Sequence, residues 1–224
     1  MENTIVLDLI RGAHLVFLAL GMGPALYFDL RSLLRIKQPL AQTDINELHR
    51  IHTVVTLACV GLWLTGVTLV WWRTNFDLAV FSPKLWAKLG VVTLLSVNAM
   101  VLNIFVIPTL TRYIGDRLVD IPLRTLMPMA LCAGISLSCW LAALALGSSF
   151  FLKTAPWIIL TPILAGLAAS CIGGVMAATL ALRLTIRRRS SAYNHSENAQ
   201  PLRNIDVTVS LPALVCGSHF AERF

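Results

Sequence analysis

Five long apolar stretches, about residues 5 to 30, 45 to 72, 84 to 111, 125 to 147 and 156 to 184, fill most of this chain. A helix crosses roughly 30 Å of hydrocarbon in about 20 residues at 1.5 Å each, so every stretch is long enough to span a bilayer. Hydrocarbon offers no water to the peptide groups, which leaves only helices and closed barrels as spanning structures. Continuous apolar runs of this length favour helices. The sequence therefore predicts an all-α, polytopic membrane helical bundle of five transmembrane helices. Composition agrees: hydrophobic residues make up 57% of the chain and charged residues 13%, about half the charged share of a soluble domain.

The net charge of +7 does not point to nucleic acid, because the basic residues sit in short connections and not on one soluble face. They report orientation. Arg31, Arg35, Lys37 and Arg50 flank the first connection, Arg112, Arg117 and Arg124 the third, and Arg183, Arg187, Arg188 and Arg189 the end of the fifth span. The second and fourth connections carry only Arg73, Lys84 and Lys153, with Lys88 set deeper in the third span. By the excess of Lys and Arg on cytoplasmic loops, the N-terminus is expected outside and the C-terminus cytoplasmic, in a cell membrane. Met1 to Thr4 carries Glu2 and no basic residue, so no cleavable signal is read and span one is expected to stay.

The membrane domain is expected over residues 1–188, followed by a polar cytoplasmic tail, 189–224, that lacks apolar periodicity and reads as disordered. The apolar patch Val207 to Val215 is too short to cross a bilayer. Cys59, Cys132, Cys139 and Cys171 occur singly within spans and read as small hydrophobes. Span five repeats small residues every fourth position, as Ala165, Ala169, Gly173 and Ala177 and as Gly166, Ser170, Gly174 and Ala178. Such faces allow close helix approach, to another span or to a second copy of the chain. Pro24, Pro108 and Pro162 fall inside spans and are candidate kinks.

Ionisable groups inside spans are costly enough to need a reason, and the first three spans hold His14, His49, His52 and Lys88. Counting from the N-terminal side, His14 lies roughly 13 Å deep and Lys88 about 6 Å, at 1.5 Å per residue. The lysine stem can close the difference, so the two can face one another. The alternatives are a histidine bonded to a neighbouring Asn or Thr, and a lysine snorkelling to the interface beside Trp86. His49 and His52 belong to the opposite end, with i, i+3 spacing that puts two imidazoles on one helix face and makes them candidate metal ligands. The other reading is an interfacial pair beside Glu47 and Arg50. Asp8 and Arg11 read as a local ion pair, and Tyr27, Asp29, Arg31 and Arg35 as headgroup contacts or as the group that holds loop one.

His14-Leu-Val-Phe17 with Gly23, Tyr27 and Arg31, then Leu57, Gly61, Leu62 and Trp63, then Trp86-Ala-Lys88-Leu89, resemble the HemJ-type protoporphyrinogen oxidases and the looser CopD-like group of small membrane proteins. The likeness covers about the first 110 residues. It implies b-type haem or a related tetrapyrrole as cofactor, a redox or electron-transfer role, His14 as axial ligand, and Lys88 as second ligand or propionate partner. The chain departs from the pattern at Trp86, where the family carries a histidine, at Ser96-Val-Asn98, where it carries an aromatic-histidine pair, and at His49-Arg50-Ile-His52, where it carries paired arginines. Two readings of other classes stay open: a small transporter of protons or metal ions, and a structural or assembly protein working through span five. No hydrolase triad, phosphate-binding glycine loop or zinc motif is present.

Overall fold

A computed structural model of the chain describes residues 2–149, 151–153 and 155–198. Its helices are α1 (Glu2–Leu34), α2 (Gln42–Thr74), α3 (Pro83–Val101), α4 (Ile107–Thr111), α5 (Leu123–Ser148) and α6 (Trp157–Asn198). One π-helical turn, Leu102–Val106, joins α3 to α4, so the two form a single span. The described residues thus contain five helices long and apolar enough to cross a membrane: Thr4–Leu34, Gln42–Thr74, Pro83–Thr111, Leu123–Ser148 and Trp157–Ile186. The chain is an integral membrane protein, as the apolar runs predict.

The chain divides into two compact units, residues 1–184 and 185–224. The first holds the bundle. In the second, the polar sequence after Arg188 predicts no order, yet the helix continues to Asn198. Extending an existing helix adds one hydrogen bond per residue without a new nucleus, so composition alone is a weak guide there. Residues 199–224, including the Val207 to Val215 patch, lie outside the described residues.

Local chemistry sets the ends of the spans. The Asp44 carboxylate accepts from the Ala41 amide at 3.0 Å and opens α2, while Asn75, at φ 46°, closes it with its amide on the Trp71 carbonyl. Ser82 caps α3 with Pro83 at the first turn. The loop after α1 pairs with the loop before α5: the Leu40 amide donates to Asp116 O and the Gly115 amide to Leu40 O, both at 2.9 Å. Gly115 has φ 94°, a backbone conformation that only glycine adopts without strain. Beside these loops Arg31 pairs with Glu47 and Asp44, and Arg35 pairs with Asp44 at 2.8 Å. These arginines therefore hold loop one, the second of the two roles their sequence position suggested. Asp8 and Arg11 form the expected ion pair at 3.0 Å. At Pro108, which has no amide proton and whose ring crowds the preceding turn, the chain widens into the π turn, where the Ile107 amide reaches Leu102 O. Pro128 also lies inside a span, a position the sequence reading passed over.

Packing is inside out relative to a soluble protein. Leu9, Leu57, Leu64, Met100 and Ile158 are among the large apolar side chains that face outward, a surface that only lipid covers favourably. The interior around Trp140 is built from Leu18, Val55, Cys59, Leu62, Leu95 and Cys139, with small and polar residues such as Ala58, Asn98 and Ser138 also buried. Spans four and five, both lacking charge in their cores, play different parts. Half of the most apolar stretch of α5 is buried, against 6% for α6, so α5 is the central post and α6 lies at the edge.

Close approach uses glycines. The Trp140 ring lies against Gly21 of α1, Phe17 lies against Gly61 of α2, and Gly134 of α5 meets the Ile172 backbone of α6. By contrast Gly166, Gly173 and Gly174, from the small-residue faces of span five, meet open space among the described residues. Arg183, read from sequence as an orienting loop charge, is buried and donates to the Ile121 carbonyl at 2.6 Å. A side chain at Gly134 would place its Cβ 2.8 Å from Ile172 Cα. Gly134→Leu is therefore expected to cost about 1–3 kcal/mol by overpacking. Thermal unfolding in detergent reads this, and an unchanged midpoint would show that α6 does not rest on α5 there.

Candidate functional site

His14 is half-buried on α1 and reaches α2, where its Nδ1 lies 2.7 Å from Thr65 Oγ1. Thr65 Oγ1 also lies 2.6 Å from Gly61 O. A hydroxyl has one proton, so when Thr65 gives it to Gly61 O the bond to the ring is donated by Nδ1, and Nε2 is the free nitrogen of the neutral ring. Nε2 makes no hydrogen bond among the described residues. A carbonyl–hydroxyl–imidazole chain of this kind sets the tautomer and orientation of metal-ligating histidines. Gly66, whose added Cβ would stand 3.5 Å from His14 Cε1, leaves the ring room beside α2.

Lys88 is half-buried in the first turns of α3 and makes no hydrogen bond or ion pair among the described residues. No hydrogen bond joins it to His14 among the described residues; the side-chain bond of His14 runs to Thr65. The neighbouring Lys84 is occupied, donating to Ser149 O at 2.9 Å. The same end of the bundle is tied by Trp63, which donates from Nε1 to Ser96 Oγ at 3.0 Å and locks α2 to α3. Ser96 stands at one of the positions where the chain departs from the HemJ pattern, and here it serves helix packing.

The histidine pair falls elsewhere. His49 is exposed and His52 half-buried, and no group of three or more His, Cys, Asp or Glu residues assembles around them among the described residues. A zinc site takes three or four protein ligands, and His49 and His52 have no third His, Cys, Asp or Glu beside them among the described residues. His52 instead lines a cavity of about 400 Å³ at the loop-one end of the bundle. His14 and Lys88 do not line it.

Asp29 is the residue that sequence reasoning misplaced. It was grouped with Arg31 and Arg35 at the interface, but it lines the same cavity and makes no hydrogen bond or ion pair among the described residues. Helical phase carries the missing signal. Two residues turn an α-helix by about 200°, so Asp29 and Arg31 point to opposite sides. Ala25, Asp29, Ser32, Leu33 and Ile36 share the cavity face at three- and four-residue steps. Thr65 had no comparable signal, because its pairing with His14 depends on the register between α1 and α2. No protein-family model, curated protein or solved structure matches the chain, so the HemJ resemblance rests on the motif residues alone.

Proposed function

We propose that the protein is a haem-binding redox component of the cell membrane, with His14 Nε2 as axial ligand to a b-type haem and Lys88 as second ligand or as ion-pair partner of a propionate. The observation that supports this reading is the Gly61–Thr65–His14 chain inside a membrane span, in which Nδ1 is engaged by Thr65 and Nε2 has no partner among the described residues. The donor set fits the cofactor. A neutral imidazole suits iron, and an ammonium in a low-dielectric setting suits a carboxylate. The haem would supply one-electron transfer. The chain's own residues hold the imidazole in one tautomer through Thr65, bring a cation near it through Lys88, and exclude water with the surrounding apolar helices. The same reading puts the arginine-rich loop-one end on the cytoplasmic side.

The test is the visible spectrum of the full chain purified in mild detergent and after incubation with hemin. A Soret band that saturates at one haem per chain is expected, and its absence from both samples would remove the proposal. Thr65→Val is expected to weaken haem binding by about 10–100-fold, the usual effect of losing a ligand's orienting partner. A titration followed at the Soret maximum measures it.

A further inference from the structure

The 400 Å³ cavity at the loop-one end is walled by residues of all five spans and is separate from His14 and Lys88. Its volume falls in the range of about 300–1,000 Å³ typical of small-molecule sites. It is bordered by the π turn, through Leu102 and Val106, a local widening that recurs at functional sites. The walls are otherwise almost wholly apolar.

Asp29, Ser32, His52, Asn98, Ser136 and Thr179 are the polar residues of the lining, and three of them offer acceptor oxygens. Asn98 is 96% buried, with its amide nitrogen bound to Cys132 O at 3.1 Å, which leaves its carbonyl oxygen without a partner among the described residues. Asp29 contributes a carboxyl group with no partner. Thr179 gives its proton to Val175 O at 2.8 Å, so toward the cavity its hydroxyl can only accept. These three groups come from α1, α3 and α6, and each has an oxygen able to accept a hydrogen bond. No Lys or Arg lines the cavity and His52 is the one basic side chain in its lining, which gives a phospholipid headgroup or a tetrapyrrole carboxylate little to pair with beside Asp29. It has one aromatic wall residue, Phe28, and no Trp or Tyr, which disfavours an organic cation.

We propose that this cavity binds a neutral, lipid-soluble diol with an apolar tail, of which a membrane hydroquinone is the fitting chemical class. Its hydroxyls donate to Asp29, Asn98 and Thr179, and its tail runs along the apolar wall. The site does not depend on haem at His14.

The experiment measures binding of decylubiquinol to the haem-free full chain in lipid nanodiscs by isothermal titration calorimetry, against its dimethyl ether, which has the same body without donors. Saturable binding at one per chain is expected, with the ether weaker by about tenfold or more for the loss of buried hydrogen bonds. Asn98→Leu is expected to weaken decylubiquinol binding by a similar factor and to leave the ether unaffected. Ala133→Phe fills the cavity and is expected to abolish binding of both, with Ala99→Leu as the milder filling variant if the larger one does not fold. Absence of saturable binding, equal affinity for the ether, or unchanged binding in a folded cavity-filled variant would overturn the assignment. So would one phospholipid per chain, seen by native mass spectrometry in wild type and lost on filling.

Discussion

Trp140→Ala is expected to lower the unfolding free energy by about 3–5 kcal/mol, the cost of emptying a large buried aromatic site. The residue is fully buried at the meeting point of four spans, packed with Leu18 of α1, Val55, Cys59 and Leu62 of α2, and Leu95 of α3. Lipid provides little hydrophobic drive between helices, so contacts of this kind are what hold the bundle together. The Trp140 indole N–H has no hydrogen-bond partner among the described residues, and an unmet buried donor costs about 1–3 kcal/mol. Trp140→Phe loses some volume but removes that donor, so the two effects offset and the net change is expected to be under half that of Ala. Gly21→Leu attacks the same contact from α1, since its Cβ would stand 2.2 Å from the Trp140 ring. Denaturant or thermal unfolding in detergent orders the three variants. A Trp140→Phe loss equal to that of Ala would mean that the indole N–H is satisfied in the membrane.

His14→Ala is expected to abolish stoichiometric haem binding, an effect larger than that of Thr65→Val because it removes the ligand and not its orienting partner. Stability should change little, because His14 is only half-buried and the Thr65 hydroxyl keeps its bond to Gly61 O. This contrast separates a ligand from a packing residue. Unfolding of His14→Ala comparable to that of Trp140→Ala, with haem retained in the folded fraction, would make His14 a structural histidine.

Much of the architecture was legible because the bilayer restricts the choices. Length and apolarity suffice to place five spans when peptide groups can be satisfied only within each helix. The fixed helix rise lets His14 and Lys88 face one another by depth, which is an expectation from sequence. What the sequence withheld depends on helix phase and on register between helices. Asp29 is two residues from Arg31, yet it faces the cavity while Arg31 faces Glu47. Arg183 reads as a loop charge until the Ile121 carbonyl is seen beside it. The small residues of span five suggested a packing face, but the close contact between α5 and α6 comes from Gly134, within a buried small-residue row of span four, Ala130, Gly134, Ser138 and Ala142. The cavity was not legible at all, because a void is a property of five helices together and of no one of them.

Axial ligation by His14 is tested most directly by chemical rescue. Ferric haem is titrated into wild type and into His14→Gly, and imidazole is then added to the variant. The account predicts a saturable Soret band in wild type, its loss in His14→Gly, and its return with imidazole occupying the space that the ring vacates. An unchanged band in His14→Gly, or no band in wild type, would contradict it.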